Sequence, residues 1–205
     1  FLNDTLKRFR KEWKSSYVKI TNHNDGKALV DNVPNMMLNK FNVIVYNFVD
    51  MLSHARTEME MIRELADDEA AYRSLTLSWF EHSPLFEALK RISEKKLIIT
   101  TDHGTIRVKE PSKLVGDRNV NTNLRYKQGR NMNYEKKDVF EVKNPADAFL
   151  PRQHLSQAFV FIKQDKFFAY PNNYNYYVTY YKNTLQHGGI SLEEMVIPFA
   201  VLTSK

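Results

Sequence analysis

Two short apolar segments rich in β-branched residues, separated by a long helix-forming stretch, constrain the fold of this chain more than any other feature. The first segment covers residues 41–46 and the second covers residues 97–101. Between them, residues 51–80 favour helix, and Ser83-Pro84 is a typical pair of N-cap and first helical residue. Strand, helix and strand in this order are typical of a βαβ unit. The sequence therefore predicts an α/β fold with buried parallel strands.

Weaker local signals predict the remaining elements. Strands are expected in five further segments: residues 17–21, 158–162, 167–170, 176–181 and 195–202. An Asp-Gly pair within residues 23–27 predicts a turn. Residues 107–148 are polar and basic, so we expect a long loop or an inserted segment there.

The composition excludes several classes of protein and of site. The chain has 205 residues, of which 42% are hydrophobic, which is enough for a core in one large domain or two small ones. It contains no cysteine, which excludes disulfides, iron–sulfur clusters, thiolate zinc sites and thiol catalysis. No apolar run approaches the roughly 20 residues of a membrane span. The net charge of +6 favours anionic partners such as phosphate esters or nucleic acid.

Asp50 and His54 form the first candidate site, directly after the predicted strand at residues 41–46. A spacing of four residues places two side chains on one face of a helical turn. A carboxylate and an imidazole in that arrangement can chelate one metal ion. Taken alone, the pair is also compatible with a solvated helix start and an unrelated histidine.

Two further motifs combine histidine with glycine. Asp102-His103-Gly104 stands at the end of the predicted strand at residues 97–101, where open α/β sheets place their ligand sites. Gly104 is expected to give the backbone the freedom to turn there. In His187-Gly188-Gly189, the two glycines would let the backbone approach an ion or a phosphate. Each motif taken singly also fits an ordinary polar turn.

In order and spacing, these three motifs resemble those of the alkaline phosphatase superfamily, and most closely those of its PglZ subgroup. The likeness is carried by residues 47–54, 101–104 and 187–198, and it extends over residues 41–202. The chain is also similar to the C-terminal part of PorX-type response regulators, in which a receiver domain precedes a PglZ-type domain. The resemblance implies a three-layer α/β/α fold, of which residues 1–205 would be the C-terminal portion of one domain.

The resemblance also implies ligands for two zinc ions. By likeness, Asp50, His54 and His187 would hold one ion, and Asp102 and His103 would hold the other. The family completes the second site with an aspartate at the end of a first strand, and a threonine or serine nucleophile follows that aspartate. No fitting unit of this kind precedes residue 41. We therefore expect the first strand and the nucleophile to lie upstream of this chain.

The activity that the resemblance implies is zinc-dependent hydrolysis of a phosphodiester, including nucleotide substrates. It would belong to the cytoplasmic output domain of a two-component response regulator, in a system linked to type IX secretion. The expected partners are the phosphodiester or nucleotide substrate, the upstream receiver domain, a second copy of the chain and a signalling protein, without membrane insertion. Arg125 and Lys127, in the predicted basic loop, are the candidates for binding the substrate phosphate.

Two other functions stay open on the sequence alone. One is a zinc-stabilised signalling module that binds a partner protein with little or no turnover. The other is a nucleic-acid binding module that uses the basic loop and the tyrosines of residues 174–181 as a stacking surface. Bound metal would distinguish the phosphoesterase and the zinc-stabilised signalling module from the nucleic-acid binding module. A nucleophile in the parent sequence would separate catalysis from partner binding.

Overall fold

A computed structural model describes residues 2–92, 96–116 and 120–203 of the chain. By the contacts between its Cα atoms, the chain divides into two compact units. The first unit is Phe1–Leu97 with Leu202–Lys205, and the second is Ile98–Val201. Among the described residues, no helix combines the length and the apolar sequence that crossing a membrane requires.

The described part of the first unit contains helices around two parallel strands. Its elements, in chain order, are α1 Leu2–Arg8, β1 Ser15–Ile20, α2 His23–Met36, β2 Phe41–Tyr46, α3 Phe48–Glu58, α4 Glu60–Leu65, α5 Glu69–Glu81 and α6 Pro84–Arg91. β1 pairs with β2 in parallel, from Ser15 opposite Phe41 to Ile20 opposite Tyr46. The connection through α2 makes this a βαβ unit, which confirms the α/β class.

The core of the first unit lies between α2, α6 and this two-stranded sheet. Its buried members come from β1, α2 and α6: Ile20, Leu29, Val30, Val33, Met36 and Ala88. The βαβ unit is therefore not the one predicted from the segments at 41–46 and 97–101. β2 pairs with β1, whose polar residues made it the weaker signal in the sequence.

The predicted turn at residues 23–27 is wrong, because α2 begins there. The Asn22 side chain accepts a hydrogen bond from the Asp25 amide at 2.9 Å and caps the helix. Gly26 is buried, and a Cβ at this position would lie 2.6 Å from the Tyr46 hydroxyl. The Asp-Gly pair therefore marks a close approach of a helix to β2, and not a turn between strands.

Other helix boundaries follow the sequence signals. Asp68 caps α5 by accepting from the Ala71 amide at 2.7 Å, which explains the break in the helical stretch at residues 51–80. Ser83 caps α6 by accepting from the Phe86 amide at 3.3 Å, with Pro84 at the first helical position. Both caps depend on neighbours in the chain, and the pair Ser83-Pro84 predicts the second of them.

The second unit consists mostly of short strands. Its elements are β3 Leu97–Thr100, which begins at the unit boundary, β4 Ile106–Arg107, β5 Glu110–Val115, β6 Tyr126–Gly129, β7 Asn133–Tyr134, β8 Val139–Val142, β9 Ala158–Ile162, β10 Lys166–Ala169, α7 Tyr174–Tyr181, β11 Leu185–Gln186, α8 Leu192–Met195 and β12 Phe199–Leu202, with short 3₁₀ turns at Lys136–Asp138 and Pro145–Ala148. The strands pair in the orders β10–β5–β7, β6–β9–β8, β11–β4 and β12–β3.

Three predictions for this unit are wrong. Residues 107–148 do not form a long loop, because β5 to β8 lie within them and contribute to two three-stranded sheets; residues 117–119 of this segment lie outside the described residues. The predicted buried strand at 97–101 is β3, whose partner among the described residues is β12 and whose Ile98 is 47% exposed. The predicted strand at 176–181 is the helix α7.

The helix α7 shows why the tyrosines misled the prediction. With the period of two that a strand has, the tyrosines alternate with polar residues. The tyrosines also recur at a spacing of four. Tyr176 stacks on Tyr180 with ring centroids 5.9 Å apart, and Tyr177 stacks on Tyr181 at 6.2 Å. Spacing of four is the helical repeat, and it prevails here because Tyr181 also packs against the core of this unit.

The start of α2 can be tested by removing its cap. Asn22→Ala should lower the free energy of unfolding by about 1 kcal/mol, because the Asp25 amide loses its acceptor. Asn32→Ala, at an exposed position in the middle of the same helix, should leave the free energy of unfolding unchanged or raise it slightly. Urea denaturation followed by circular dichroism measures both. Equal losses in the two variants would contradict the assigned helix start.

Candidate metal centre

Two histidines far apart in the sequence lie face to face in the second unit. The rings of His103 and His187 have centroids 4.0 Å apart and planes inclined by 11°. One ring nitrogen of each lies within 4.8 Å of a ring nitrogen of the other. Two imidazole nitrogens at this separation are close enough to serve ions in one metal centre.

The strand end of β3 orients His103. Its Nδ1 lies 3.1 Å from the Gly104 carbonyl oxygen, which can only accept, so Nδ1 carries the proton in this contact. In the neutral ring, Nε2 then has the free electron pair that a metal ion requires. The Asp102 carboxylate lies 3.7 Å from this Nε2 and is largely exposed. His103 therefore has a second imidazole beside it in His187 and a carboxylate beside it in Asp102, and these groups have the chemistry to hold a metal ion.

Backbone contacts fix the two histidine segments. Thr101 donates its hydroxyl proton to the His103 carbonyl at 3.1 Å, which holds the end of β3 in its turn. The His187 carbonyl accepts from the Asn123 side-chain amide at 3.2 Å. Gly188 has φ of 100°, a conformation that disfavours side chains, so the turn after His187 depends on glycine.

The other two glycines of the motifs provide space and not conformational freedom. A Cβ on Gly104 would lie 2.0 Å from the Glu193 carbonyl oxygen, and one on Gly189 would lie 2.5 Å from Oε2 of Glu194. Both glycines therefore allow the start of α8 to approach the histidine segments. The expectation that Gly104 is needed for its backbone conformation is wrong, since Gly188 is the described glycine with positive φ.

Asp50 and His54 lie in the first unit, on α3 as predicted. Their side chains share one face of the helix, with Nε2 of His54 3.6 Å from Oδ1 of Asp50. The His54 side chain is 61% exposed and that of Asp50 is 36% exposed, so both are open to solvent. The local arrangement fits a chelating pair. That they share an ion with His187 stays a prediction.

Arg125 does not lie in an exposed loop. Its side chain is fully buried, and it forms two parallel hydrogen bonds with Glu194, Nε to Oε1 and Nη2 to Oε2, each of 2.9 Å. Its Nη1 donates to the Lys166 carbonyl oxygen. Arg125 does lie outside the helices and strands, as predicted, but a substrate phosphate would have to replace this buried carboxylate to reach it.

Lys127 is buried as well, on β6. Its Nζ donates to the Asn121 carbonyl oxygen at 2.9 Å and lies 4.7 Å from the centre of the Tyr170 ring. Burial lowers the pKa of this ammonium group from 10.5 to about 8. The predicted loop position is wrong for this residue, which lies in a strand. The assignment of both side chains to the substrate rested on their place in the predicted basic loop.

Glu194 both caps a helix and pairs with the buried Arg125, and only the first role follows from its place in the sequence. Its spacing from Ser191 predicts a capping box, and the Glu194 carboxylate does accept from the Ser191 amide at 3.2 Å. Burial alone would raise the pKa of Glu194, but the hydrogen bonds and charge of Arg125 outweigh it and hold the pKa below its usual range. The capping pattern located the residue. Nothing local in the sequence indicated its partner.

A family model for the BREX system PglZ alkaline phosphatase-like domain matches residues 3–203. The chain therefore belongs to the PglZ family, which confirms the resemblance found in its motifs, and its fold is of the phosphoesterase type. The match includes residues 3–40, beyond the segment in which the motifs lie. No curated protein matches the chain.

The shifted pKa of Lys127 predicts a rise of stability with pH. Between about pH 8 and about pH 10.5 the unfolded chain keeps the lysine proton while the folded chain releases it, so the free energy of unfolding increases. The contribution is at most about 1.4 kcal/mol per pH unit. Lys127→Met, which has no titrating group, should lack it. Urea denaturation at both ends of this range measures the difference, and parallel pH profiles for the two proteins would contradict it.

Proposed function

We propose that this chain carries the metal-binding residues of a zinc-dependent phosphoesterase, with His103 and His187 as ligands. The observation that carries the proposal is the stacking of the two imidazole rings, whose centroids lie 4.0 Å apart. Each ring belongs to a segment in which a glycine leaves space for residues of α8 or next to it. Two parallel imidazole rings would repel each other if both were protonated. Neutral rings that each hold a metal ion through one nitrogen avoid that repulsion.

The donor set fits zinc. The available ligands are neutral imidazole nitrogens and carboxylate oxygens, which zinc and manganese both accept, and the sequence has no thiolate that would favour softer metals. His103 is already held by the Gly104 carbonyl, the second hydrogen bond that metal-ligating histidines usually have. We take zinc as the resident ion, with Asp102 as the carboxylate ligand beside His103.

The remaining ligands of the proposal rest on the resemblance. Asp50 and His54 would complete the coordination of the ion held by His187, as the resemblance implies, while Asp102 and His103 hold a second ion. When bound, zinc supplies a Lewis acid for a phosphoryl oxygen and a lower pKa for a hydroxyl nucleophile. The chain contributes ring orientation at His103 and a fixed turn at His187.

The substrate class in this proposal is a phosphodiester, including nucleotides. It is supported by the family to which the chain belongs and by the net charge of +6. Arg125 and Lys127 stay the predicted phosphate ligands, but both side chains are buried, so binding a phosphate would require them to leave their present partners. We further propose a cytoplasmic output domain of a response regulator, with a receiver domain, a second copy and a signalling protein as partners; this part rests on the resemblance to PorX-type proteins alone.

The alternatives are affected differently by the structure. A nucleic-acid module would use the basic segment at residues 107–148 and a tyrosine strand, but two cations of that segment, Arg125 and Lys127, are buried and the tyrosines form a helix. A zinc-stabilised signalling module uses the same histidines as the phosphoesterase. It differs from the phosphoesterase in turnover, so kinetics decide between them.

Zinc binding tests the proposed ligands. His103→Ala and His187→Ala should each weaken zinc binding by at least about tenfold, because each removes a neutral nitrogen ligand. His154→Ala, which replaces an exposed histidine elsewhere in the second unit, is the matched control and should bind like the parent. Competition with a chromogenic chelator measures the affinities. Parent-like binding by either histidine variant would contradict the proposal.

His54→Ala tests the predicted grouping separately. If His54 and His187 serve one ion, the two single variants should each lose about one equivalent of zinc, and the double variant should lose no more than either single one. Elemental analysis after dialysis gives the stoichiometry. A double variant that loses two equivalents would place the histidines on different ions.

Hydrolysis tests the reaction. The protein that carries this domain should release p-nitrophenol from bis-(p-nitrophenyl) phosphate when zinc is supplied, and His103→Ala should lower kcat by orders of magnitude at saturating zinc. Folded protein that binds zinc at these histidines and shows no turnover would favour the signalling module.

A further inference from the structure

Glu194 accepts four hydrogen bonds inside the second unit. Oε1 receives Nε of Arg125 and the Gly189 amide, each at 2.9 Å. Oε2 receives Nη2 of Arg125 at 2.9 Å and the Ser191 amide at 3.2 Å. All four partners are donors, so only a group that accepts with both oxygens satisfies them. An ionised carboxylate is the side chain that does so.

The same residue also contacts the segment that carries His103. The backbone carbonyl of Glu194 accepts from the Gly104 amide at 2.9 Å. Gly104 is the residue directly after His103, and Gly189 is two residues after His187. One residue at the start of α8 therefore holds both histidine segments, one through its carbonyl and the other through its carboxylate.

Arg125 reaches the His187 segment by a second route. Its own amide donates to Oδ1 of Asn123 at 2.7 Å, and Nδ2 of Asn123 donates to the His187 carbonyl at 3.2 Å. A Cβ on Gly188 would lie 2.9 Å from this Nδ2, so the turn is packed closely against Asn123. The guanidinium group fixes Glu194, while the backbone of the same residue fixes the amide that holds His187.

We propose that the buried Arg125–Glu194 ion pair is a positioning device for the metal centre, which sets the separation of His103 and His187. The inference rests on the proposed function, because it assigns these two residues to the same site. Neither side chain binds the ion. They act through the two histidine segments, in the way that outer hydrogen-bonding partners orient metal ligands. Loss of the pair should therefore loosen the metal centre more than it loosens the fold.

Glu194→Gln is the first variant to test this. An amide keeps the size of the side chain but offers one accepting oxygen and directs two protons at donors, so two of the four hydrogen bonds are lost. We expect zinc affinity to fall by about 10- to 100-fold, the range typical of second partners of metal ligands. Hydrogen exchange of the Gly189 amide should accelerate in the metal-free protein.

Asp138→Asn is the matched control in the same unit. Asp138 is also a largely buried carboxylate in an ion pair, with Oδ1 2.6 Å from Nζ of Lys166 and Oδ2 3.0 Å from the Ser112 hydroxyl. The change removes one carboxylate charge but touches neither histidine segment. It should lower the thermal midpoint of the metal-free protein and change zinc affinity by less than about threefold. For each variant, the loss of zinc affinity is compared with the loss in thermal midpoint. The same ratio of these two losses in both variants would overturn the inference.

Glu194→Asp keeps the proposal testable if Glu194→Gln does not fold. Aspartate retains the charge and the pair with Arg125 but is one methylene shorter, which draws the carboxylate away from the Gly189 amide. Zinc affinity should again fall, with the Gly189 amide exchanging faster. Parent-like zinc affinity in this variant, with fast exchange at Gly189, would show that the turn does not position His187.

Zinc binding by the unmodified protein distinguishes a failure of this inference from a failure of the proposed function. If the parent does not bind zinc, both fail. If the parent binds zinc and His187→Ala abolishes that binding while Glu194→Gln does not weaken it, the metal centre stands and the positioning role is wrong. A loss in both variants, with the Asp138→Asn control unaffected, supports both.

Discussion

The second unit depends on a carboxylate that has been removed from water. The side chain of Glu194 is 1% exposed and that of Arg125 is fully buried, so neither charge has solvent to stabilise it. Breaking such a pair by removing one partner typically costs about 3–5 kcal/mol, because the other charge is left buried and uncompensated. Such a pair is costly to form, and hydrophobic residues of similar volume often give equal stability. Its presence is better explained by what it orients than by the stability it adds.

The glycines of the two histidine motifs follow from this ion pair. α8 can bring Glu194 to its partners only if the segments beside it lack side chains, and Gly104 and Gly189 meet that condition. The motifs thus combine a proposed metal ligand with the space that Glu194 requires beside it. This packing accounts for histidine next to glycine in both segments, and it does so with contacts inside the protein.

Local chemistry made much of the fold predictable. The caps at Asp68 and Ser83 and the strands at 41–46, 158–162 and 167–170 follow from neighbouring residues, and the structure contains them. The failures share one physical cause, since each depended on contacts distant in sequence. The Asp-Gly pair at 25–26 is helical because α2 packs on β2, and Arg125 is buried because Glu194 lies beside it. The Asp-Gly pair indicated a turn in the first segment and polar composition indicated a loop in the second, and tertiary contacts overrode both signals.

Local signals in the sequence also identified the candidate site residues, but not the contacts between them. Asp50, Asp102, His103 and His187 stand out because each lies near the end or start of an element, and His54 stands out because it follows Asp50 by one helical turn. The stacking of His103 on His187 and the contacts of Glu194 could not be derived from spacing, because they depend on how short strands pair in the second unit. Family membership, shown over residues 3–203, gives the motifs their phosphoesterase context.

A crystal structure of the zinc-loaded protein, with anomalous diffraction recorded on both sides of the zinc absorption edge, tests the central claim most directly. The account predicts that a ring nitrogen of His103 and one of His187 each lie about 2.0–2.1 Å from an anomalous peak. One shared peak would assign both rings to a single ion, and two peaks would match the grouping implied by the resemblance. Zinc bound in stoichiometric amount at a position that neither histidine contacts would contradict the account.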